Sequence, residues 1–269
     1  AINCLKGLES QVAAAFAMTK ASYQLPVIPV SIQDMRHSRA HYEREIMALS
    51  DIHCEINEEL LLYAGTNFFA VYQGVDDKIF QEIIASFYLR NCFSLNYVAP
   101  NLGAGPVERI KIGFISSNFY NHTVGKLFRG LIANLNRELF DVTVFSSHPP
   151  SDEISNFIKN NSDHNVTLVR DLNAARETIG KRELNILFYA DIGMDAFTYF
   201  LAFSRLAPVQ CVGWGHGVTT GIPTIDYFIS NIDLEEDDPV AAQSHYSEKL
   251  ILLSQPPTYL YPVQKYDPR

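Results

Sequence analysis

Three polar segments carry the side chains of this sequence that are best suited to chemistry. The first, residues 116–123, contains His122; the second starts at Asp191; the third, residues 214–221, contains His216 among glycines. A neutral imidazole can accept a proton from a hydroxyl group or bind a sugar hydroxyl, and a carboxylate can orient such a group. Glycines let a ligand approach the backbone closely. These residue types are compatible with a site for a hydroxyl-bearing substrate.

Each of these segments also has a purely structural interpretation. His122 could cap a helix, Asp191 could cap the helix predicted to start near Asp195, and the glycines around His216 could form an irregular turn. The third segment lacks the GxxxxGK[ST] pattern of a phosphate-binding loop, and no GxGxxG follows the first predicted strand. The acidic run at 235–238 is typical of a solvated loop. Residue types alone leave both interpretations open.

The elements that must position these segments alternate between strand and helix after residue 109. Strands that are apolar on both faces, separated by helices, indicate an α/β fold with a doubly wound, Rossmann-like parallel sheet. Ligands of such sheets bind at the carboxyl ends of the strands, so we expect the three polar segments to meet at one edge around His122. The predicted strands are 110–115, 140–145, 166–169, 186–189, 209–213, 227–229 and 250–253, and the helices are 125–135, 154–159, 173–181 and 197–206.

The first 95 residues have helical spacing instead. Residues 99–106 are rich in proline and glycine, a composition that separates structural units. We therefore predict an α-helical region at 1–98 and a Rossmann-like lobe at 107–265. The predicted helical stretches are 13–18, 41–63 and 79–92.

Composition excludes several classes of function. The net charge of −9 argues against a nucleic-acid-binding protein. The four cysteines are far apart and form no CxxC pair, so we predict no metal site and a reducing, cytoplasmic location. No apolar run is long enough to span a bilayer, and we expect no membrane partner.

Several stretches resemble the protein O-GlcNAc transferases, glycosyltransferase family 41, and most closely their bacterial branch. The resemblance begins near Leu60 and ends near Pro262, and the order and spacing of its blocks make it specific. These blocks are residues 66–74, 109–132, 206–221, 226–229 and 246–250.

The resemblance implies a GT-B fold of two facing lobes, of which this chain would be the first, with the nucleotide-binding lobe beyond Arg269. It implies inverting transfer of a sugar from a UDP-sugar to a protein or peptide side chain, with no cofactor besides the donor. His122 matches the family's active-site histidine. We expect the isolated chain to be inactive. The substrate-binding residues expected on this basis are Asn118, Asn121, Thr123, Gly125, Lys126, Asp191, His216, Thr219, Thr220 and Gly221.

The sequence departs from the family pattern at four positions. Asn118 stands where animal enzymes carry aspartate, and Asn121 where many bacterial members carry an acidic residue. Val124 replaces a hydroxyl residue, and Gly217 a common proline. Because asparagine cannot take a proton, His122 would have to act alone or through water.

Two other functions remain as alternatives. A non-catalytic α/β binding module, derived from a degenerate transferase, is favoured by the asparagines at 118 and 121. A sugar hydrolase would need paired carboxylates across a cleft, and Asp191 is the single candidate in the three segments.

Overall fold

The computed structural model describes residues 25–102 and 108–262. The apolar stretch predicted to be helical at 13–18 and half of the linker at 99–106 lie outside these ranges.

The part of the helical region that is described contains three α-helices: α1 at Ile32–Ala48, α2 at Glu58–Leu61 and α3 at Lys78–Asn91. Single 3₁₀ segments follow at Leu49–Asp51, Phe68–Gln73 and Phe93–Asn96.

The prediction of one long helix at 41–63 is wrong at both ends, since the helix found there is α1. It begins earlier because Ser31 caps it, its side chain accepting a hydrogen bond from the Asp34 amide. It ends at Ala48, although apolar residues continue at helical intervals. Residues such as Leu49 and Ile56 are buried in the same core as Ile46, so the apolar spacing reflects a shared core rather than a continuous helix.

In the ranges that the structure describes, seven strands form one parallel sheet in the order β3-β2-β1-β4-β5-β6-β7. This confirms the predicted doubly wound α/β class. The largest difference is at the helix expected at 197–206, which ends at Leu201. The other bounds in this lobe differ by two residues or fewer, and the third strand lies two residues earlier. The strands are β1 Ile110–Ile115, β2 Phe140–Ser146, β3 His164–Thr167, β4 Ile186–Tyr189, β5 Val209–Gly213, β6 Tyr227–Asn231 and β7 Lys249–Leu253. The helices between them are α4 Thr123–Asn134, α5 Glu153–Asn160, α6 Leu172–Gly180, α7 Ala196–Leu201 and α8 Pro239–Ser244.

Each face of the sheet has its own apolar core, because successive side chains of a strand point to opposite faces. Phe114 packs with Phe128 and other residues of α4 and α5 on one face. Its neighbour Ile115 belongs to the other core, which also contains Tyr42 of α1 and Phe87 of α3. The helical region therefore packs onto one face of the sheet. The division into units at 1–98 and 107–265 stays a prediction.

Strand order places a topological switch point between β1 and β4. The chain runs from β1 to β2 and β3 on one side, then returns to β4 on the other. In open parallel sheets the loops at such a point diverge and leave a crevice for ligands. The loops that follow β1, β4 and β5 are the three polar segments singled out above.

Candidate functional site

The first two polar loops are joined by hydrogen bonds at the switch point. The Ser116 hydroxyl donates to one carboxylate oxygen of Asp191, and the Asn118 side-chain amide donates to the other at 3.0 Å. Asp191 is completely buried. Burial raises the pKa of Asp191 to about 6, although both hydrogen bonds act in the opposite direction. The carboxyl group thus holds two loops together and is screened from solvent.

Gly125 allows the first loop to fold back over the start of α4. A β-carbon at this position would collide with the carbonyl oxygen of Tyr120 and lie 3.1 Å from that of Asn118. Glycine is therefore required sterically at this position. Gly125 was predicted to bind substrate, and packing of the loop gives a structural reason for it. Asn118 and His122 thus lie in one tight turn, in which the Tyr120 amide donates to the Asn118 carbonyl and the His122 amide to the Tyr120 carbonyl.

His122 caps α4. Its Nδ1 accepts a hydrogen bond from the Val124 amide at 3.2 Å, and the side chain is partly exposed. This is the capping role that the sequence left open. A neutral imidazole whose Nδ1 accepts must carry its proton on Nε2. In this arrangement the Nε2–H of His122 is the ring's available hydrogen-bond donor.

His216 lies against the second loop. Gly193 has a left-handed φ of +104°, and a β-carbon there would be 2.8 Å from Cδ2 of the His216 ring. The Gly215 amide donates to the Ala190 carbonyl at 3.1 Å. The His216 ring stacks on Phe68, with centroids 5.3 Å apart. Burial lowers the pKa of His216 to about 4, so the imidazole is neutral at pH 7.

Thr219, Thr220 and Gly221 fasten the third loop to the start of β7. Both threonine hydroxyls donate to the carboxylate of Glu248, that of Thr219 at 2.6 Å, and the Thr220 amide donates at 2.8 Å. The Gly221 amide donates to Ser247 at 3.1 Å. These hydroxyls are buried and already bonded inside the protein. Their predicted contact with substrate remains a prediction.

Asn121, Thr123 and Lys126 are exposed around the start of α4. The Asn121 amide donates to Asp152 at 2.7 Å. Asn121 and Lys126 border a groove of about 700 Å³ that also contains Arg129. The structure therefore brings Asn118, Asp191, Gly193 and His216 together. His122 belongs to the same loop as Asn118 and packs against Tyr120, whereas Asn121 and Lys126 border a separate groove.

Sequence reasoning missed two residues that organise this edge. Asp195 caps α7, accepts a hydrogen bond from the Ser117 hydroxyl at 2.8 Å and forms an ion pair with Arg170 at 2.9 Å. Glu248 lies in the block at 246–250 that resembles the family, but its place in the sequence predicts no role for it. A helix-cap pattern could have identified Asp195, whereas no local signal marks the partners of Glu248.

Within residues 25–102 and 108–262, no group of three or more histidine, cysteine or acidic side chains is arranged to hold a metal ion. Among the helices that the structure describes, none is long and apolar enough to cross a membrane.

Comparisons with known proteins point to one family. The model of glycosyl transferase family 41 matches residues 92–261. A curated relative from Solanum lycopersicum, a probable UDP-N-acetylglucosamine–peptide N-acetylglucosaminyltransferase SPINDLY, is 26% identical over 189 residues, which is 66% of this chain and 19% of that protein. The UDP-glucose:protein N-beta-glucosyltransferase of Actinobacillus pleuropneumoniae is 40% identical over 68 residues, which is 25% of this chain and 10% of that protein.

The fold is similar to a solved structure of a Thermobaculum terrenum O-GlcNAc transferase mutant. The TM-score is 0.60 at 20% identity, and the match covers 93% of this chain and 45% of that one. The chain thus spans less than a fifth of the length of these two curated relatives and less than half of the solved structure.

Proposed function

Since the chain belongs to glycosyl transferase family 41, whose model matches residues 92–261, we propose that it forms the first lobe of an inverting glycosyltransferase. The enzyme would move a sugar from a UDP-sugar to a protein or peptide side chain. The observation that carries this proposal is the meeting of the loops after β1 and β4 at the switch point, with the β5 loop beside them. The bond between Asn118 and Asp191 joins segments 73 residues apart.

The three loops lack positively charged side chains, and this supports the proposal of a second, nucleotide-binding lobe. The three segments at 116–123, 191–193 and 214–221 contain no lysine or arginine, whereas a diphosphate is normally bound by cations. Lys126 is the nearest cation along the chain, one turn into α4. We propose that most of the donor's phosphate charge is neutralised by residues of the second lobe, with Lys126 assisting.

His122 is proposed to position the substrate through its Nε2–H. Nδ1 is occupied by the Val124 amide, so the Nε2–H is left to donate a hydrogen bond. Its partner would be an oxygen of the sugar donor or of the acceptor side chain. Removing one such donor from an active site costs about 10²–10³ in rate. A role as general base would need the other tautomer and would break the helix cap.

The activity is tested with the full-length protein and a panel of UDP- and GDP-sugars, measuring sugar transfer to protein and release of free nucleotide. We expect turnover with a UDP-sugar and inversion at the anomeric carbon, and no turnover by residues 1–269 alone. Absence of turnover with every donor, despite tight binding of UDP, would overturn the proposal.

Two substitutions at His122 distinguish the roles open to it. His122→Ala should lower the rate about 10²–10³-fold with UDP affinity unchanged. His122→Asn keeps both a helix cap and an N–H donor, so it should retain more activity than His122→Ala. Equal loss in both variants would favour a proton-accepting role, and full activity in His122→Ala would remove the residue from the mechanism. His53→Ala, at an exposed histidine far from the loops along the chain, is the control.

The alternative function is a non-catalytic binding module. It is favoured by the capping bond of His122 and by the asparagines at 118 and 121, which leave no evident base in the first loop. In that case the full-length protein would bind a nucleotide or peptide without turnover.

A cytoplasmic location is also proposed, since Cys54, Cys92 and Cys211 are unpaired.

A further inference from the structure

A second pocket opens on the other side of β1 from Asp191. It has a volume of about 220 Å³ and lies where the loops after β1 and β2 diverge. None of the ten substrate-binding residues predicted from the sequence lines it. Its walls include Ser117, Tyr120, Ser146, His148, Pro149 and Ser151.

The walls of this pocket are aromatic and hydroxyl-bearing. The rings of Tyr120 and His148 are 6.3 Å apart in an edge-to-face arrangement. No lysine, arginine or carboxylate is among the lining residues. A phosphate or a charged side chain would therefore meet no lysine, arginine or carboxylate there. The volume lies below the roughly 300–1,000 Å³ of pockets that hold drug-sized ligands, so a nucleotide does not fit.

Hydrogen-bonding capacity remains open inside the pocket. Within the described part of the chain, neither the Tyr120 hydroxyl nor the Ser151 hydroxyl has a hydrogen-bond partner, although the Ser151 amide donates to Ser155 at 3.0 Å. Aromatic walls with a few convergent polar groups suit a ring that is apolar on its faces and polar at its edge.

The pocket is one ring away from His122. The Tyr120 ring lies between, 5.7 Å from the His122 ring and 6.3 Å from that of His148. The strand order β2-β1-β4 places the pocket toward β2 and Asp191 toward β4. A group held in the pocket would thus lie on the β2 side of β1, next to the Tyr120 ring that packs against His122.

We propose that this pocket binds an uncharged, ring-bearing side chain of the acceptor polypeptide, such as tyrosine, phenylalanine, tryptophan or proline. This rests on the proposed function, in which His122 marks the reacting centre. The two ring-to-ring steps from His122 correspond to about two to four residues of extended peptide, at roughly 3.3 Å each. The pocket would therefore select the sequence flanking the modified residue.

The test is an array of peptides with a central serine, threonine or asparagine and one varied flanking residue, probed with labelled full-length protein. Wild type should prefer ring-bearing residues two to four positions from the centre. Ser151→Trp fills the pocket from its exposed rim and should weaken binding of the preferred peptides at least about tenfold, or about 1.4 kcal/mol. His148→Ala removes one wall and should reduce the same preference.

Ser50→Trp is the matched control, because Ser50 is exposed in the helical region; it should bind the array like wild type. Nucleotide release from the UDP-sugar without peptide should be unchanged in Ser151→Trp. An array profile without ring preference, or one unaltered by both pocket variants, overturns the proposal. A raised KM for the UDP-sugar with an unaltered profile would assign the pocket to the donor and also overturn it. Binding to the array needs no turnover, so the two proposals can fail separately. A protein that is inactive with every donor but shows the predicted binding profile would refute the proposed transferase activity and support the proposed peptide-binding pocket.

Discussion

At the scale of single residues, Asp191 is a carboxyl group in an unfavourable environment for its charge. It is completely buried, and the two donors, Ser116 and Asn118, do not fully compensate for lost hydration, so its pKa is raised to about 6. Between the pKa of an unfolded aspartate, about 3.9, and about 6, the folded chain binds more protons than the unfolded chain. Folding stability due to this group therefore falls as pH rises through that window.

Asp191→Asn should remove this pH dependence. The wild-type free energy of unfolding, relative to that of the variant, should fall by up to about 3 kcal/mol between pH 4 and pH 7. Other titrating groups are common to both proteins and cancel in the difference. Urea unfolding of both at several pH values measures it. Parallel pH profiles would show that Asp191 does not titrate in this range.

At the scale of elements, the third loop depends on a carboxylate that it does not contain. Glu248 is 2% exposed and receives three hydrogen bonds from Thr219 and Thr220, which lie 28 to 29 residues earlier. Hydrogen bonds to a charged group stabilise by about 1.5–3 kcal/mol each. Desolvation of the carboxylate offsets part of this gain. The contact fixes the loop that carries His216.

Glu248→Ala should lower the free energy of unfolding by about 3 kcal/mol, because it leaves buried donors without a partner. Hydrogen exchange should rise at residues 214–221 before it rises in β1 or β4. Lys249→Ala, at the exposed neighbour on β7, is the control and should change stability by less than about 0.5 kcal/mol. Unchanged exchange in the loop of Glu248→Ala would mean that backbone packing alone positions His216.

At the scale of the whole molecule, a buried arginine ties the helical region to the sheet. Arg176 of α6 is 1% exposed, donates to Ser204 at 2.7 Å and to Asn173 at 3.1 Å, and forms an ion pair with Glu58 of α2 at 2.5 Å. The pair crosses the same core that joins α1 and α3 to the sheet. Unfolding of the helical region would therefore expose a buried charge as well as apolar surface.

Glu58→Ala should destabilise the chain by about 3–5 kcal/mol, since it leaves the guanidinium of Arg176 buried without a counter-charge. We expect a single unfolding transition in both wild type and variant, seen equally by fluorescence and by circular dichroism. The neighbouring Glu59→Ala, at an exposed position, should be near neutral. A variant in which the helices melt first, while the sheet keeps wild-type stability, would contradict this coupling.

Local patterns in the sequence were sufficient for the architecture. Apolar strands separated by helices predicted the parallel sheet, and the polar segments after β1, β4 and β5 were recognised because strand ends are marked by a change from apolar to polar residues. The sheet then brought these loops to one edge, as strand direction requires. The spacing could not separate helix from coil at 49–61, because residues in both conformations fill one core.

The roles of individual side chains were decided by tertiary structure. Ser116 donates a hydrogen bond to Asp191, which lies 75 residues later, and Thr220 donates one to Glu248, which lies 28 residues later. The sequence could mark these residues as polar and near a strand end, but not assign their partners. A hydrogen bond needs its atoms aligned within a few tenths of an ångström, and the packing of distant loops sets that alignment. Local patterns along the chain were thus enough for the sheet and for the prediction that its polar loops share one edge. Only the folded chain decided which polar groups fasten those loops to one another.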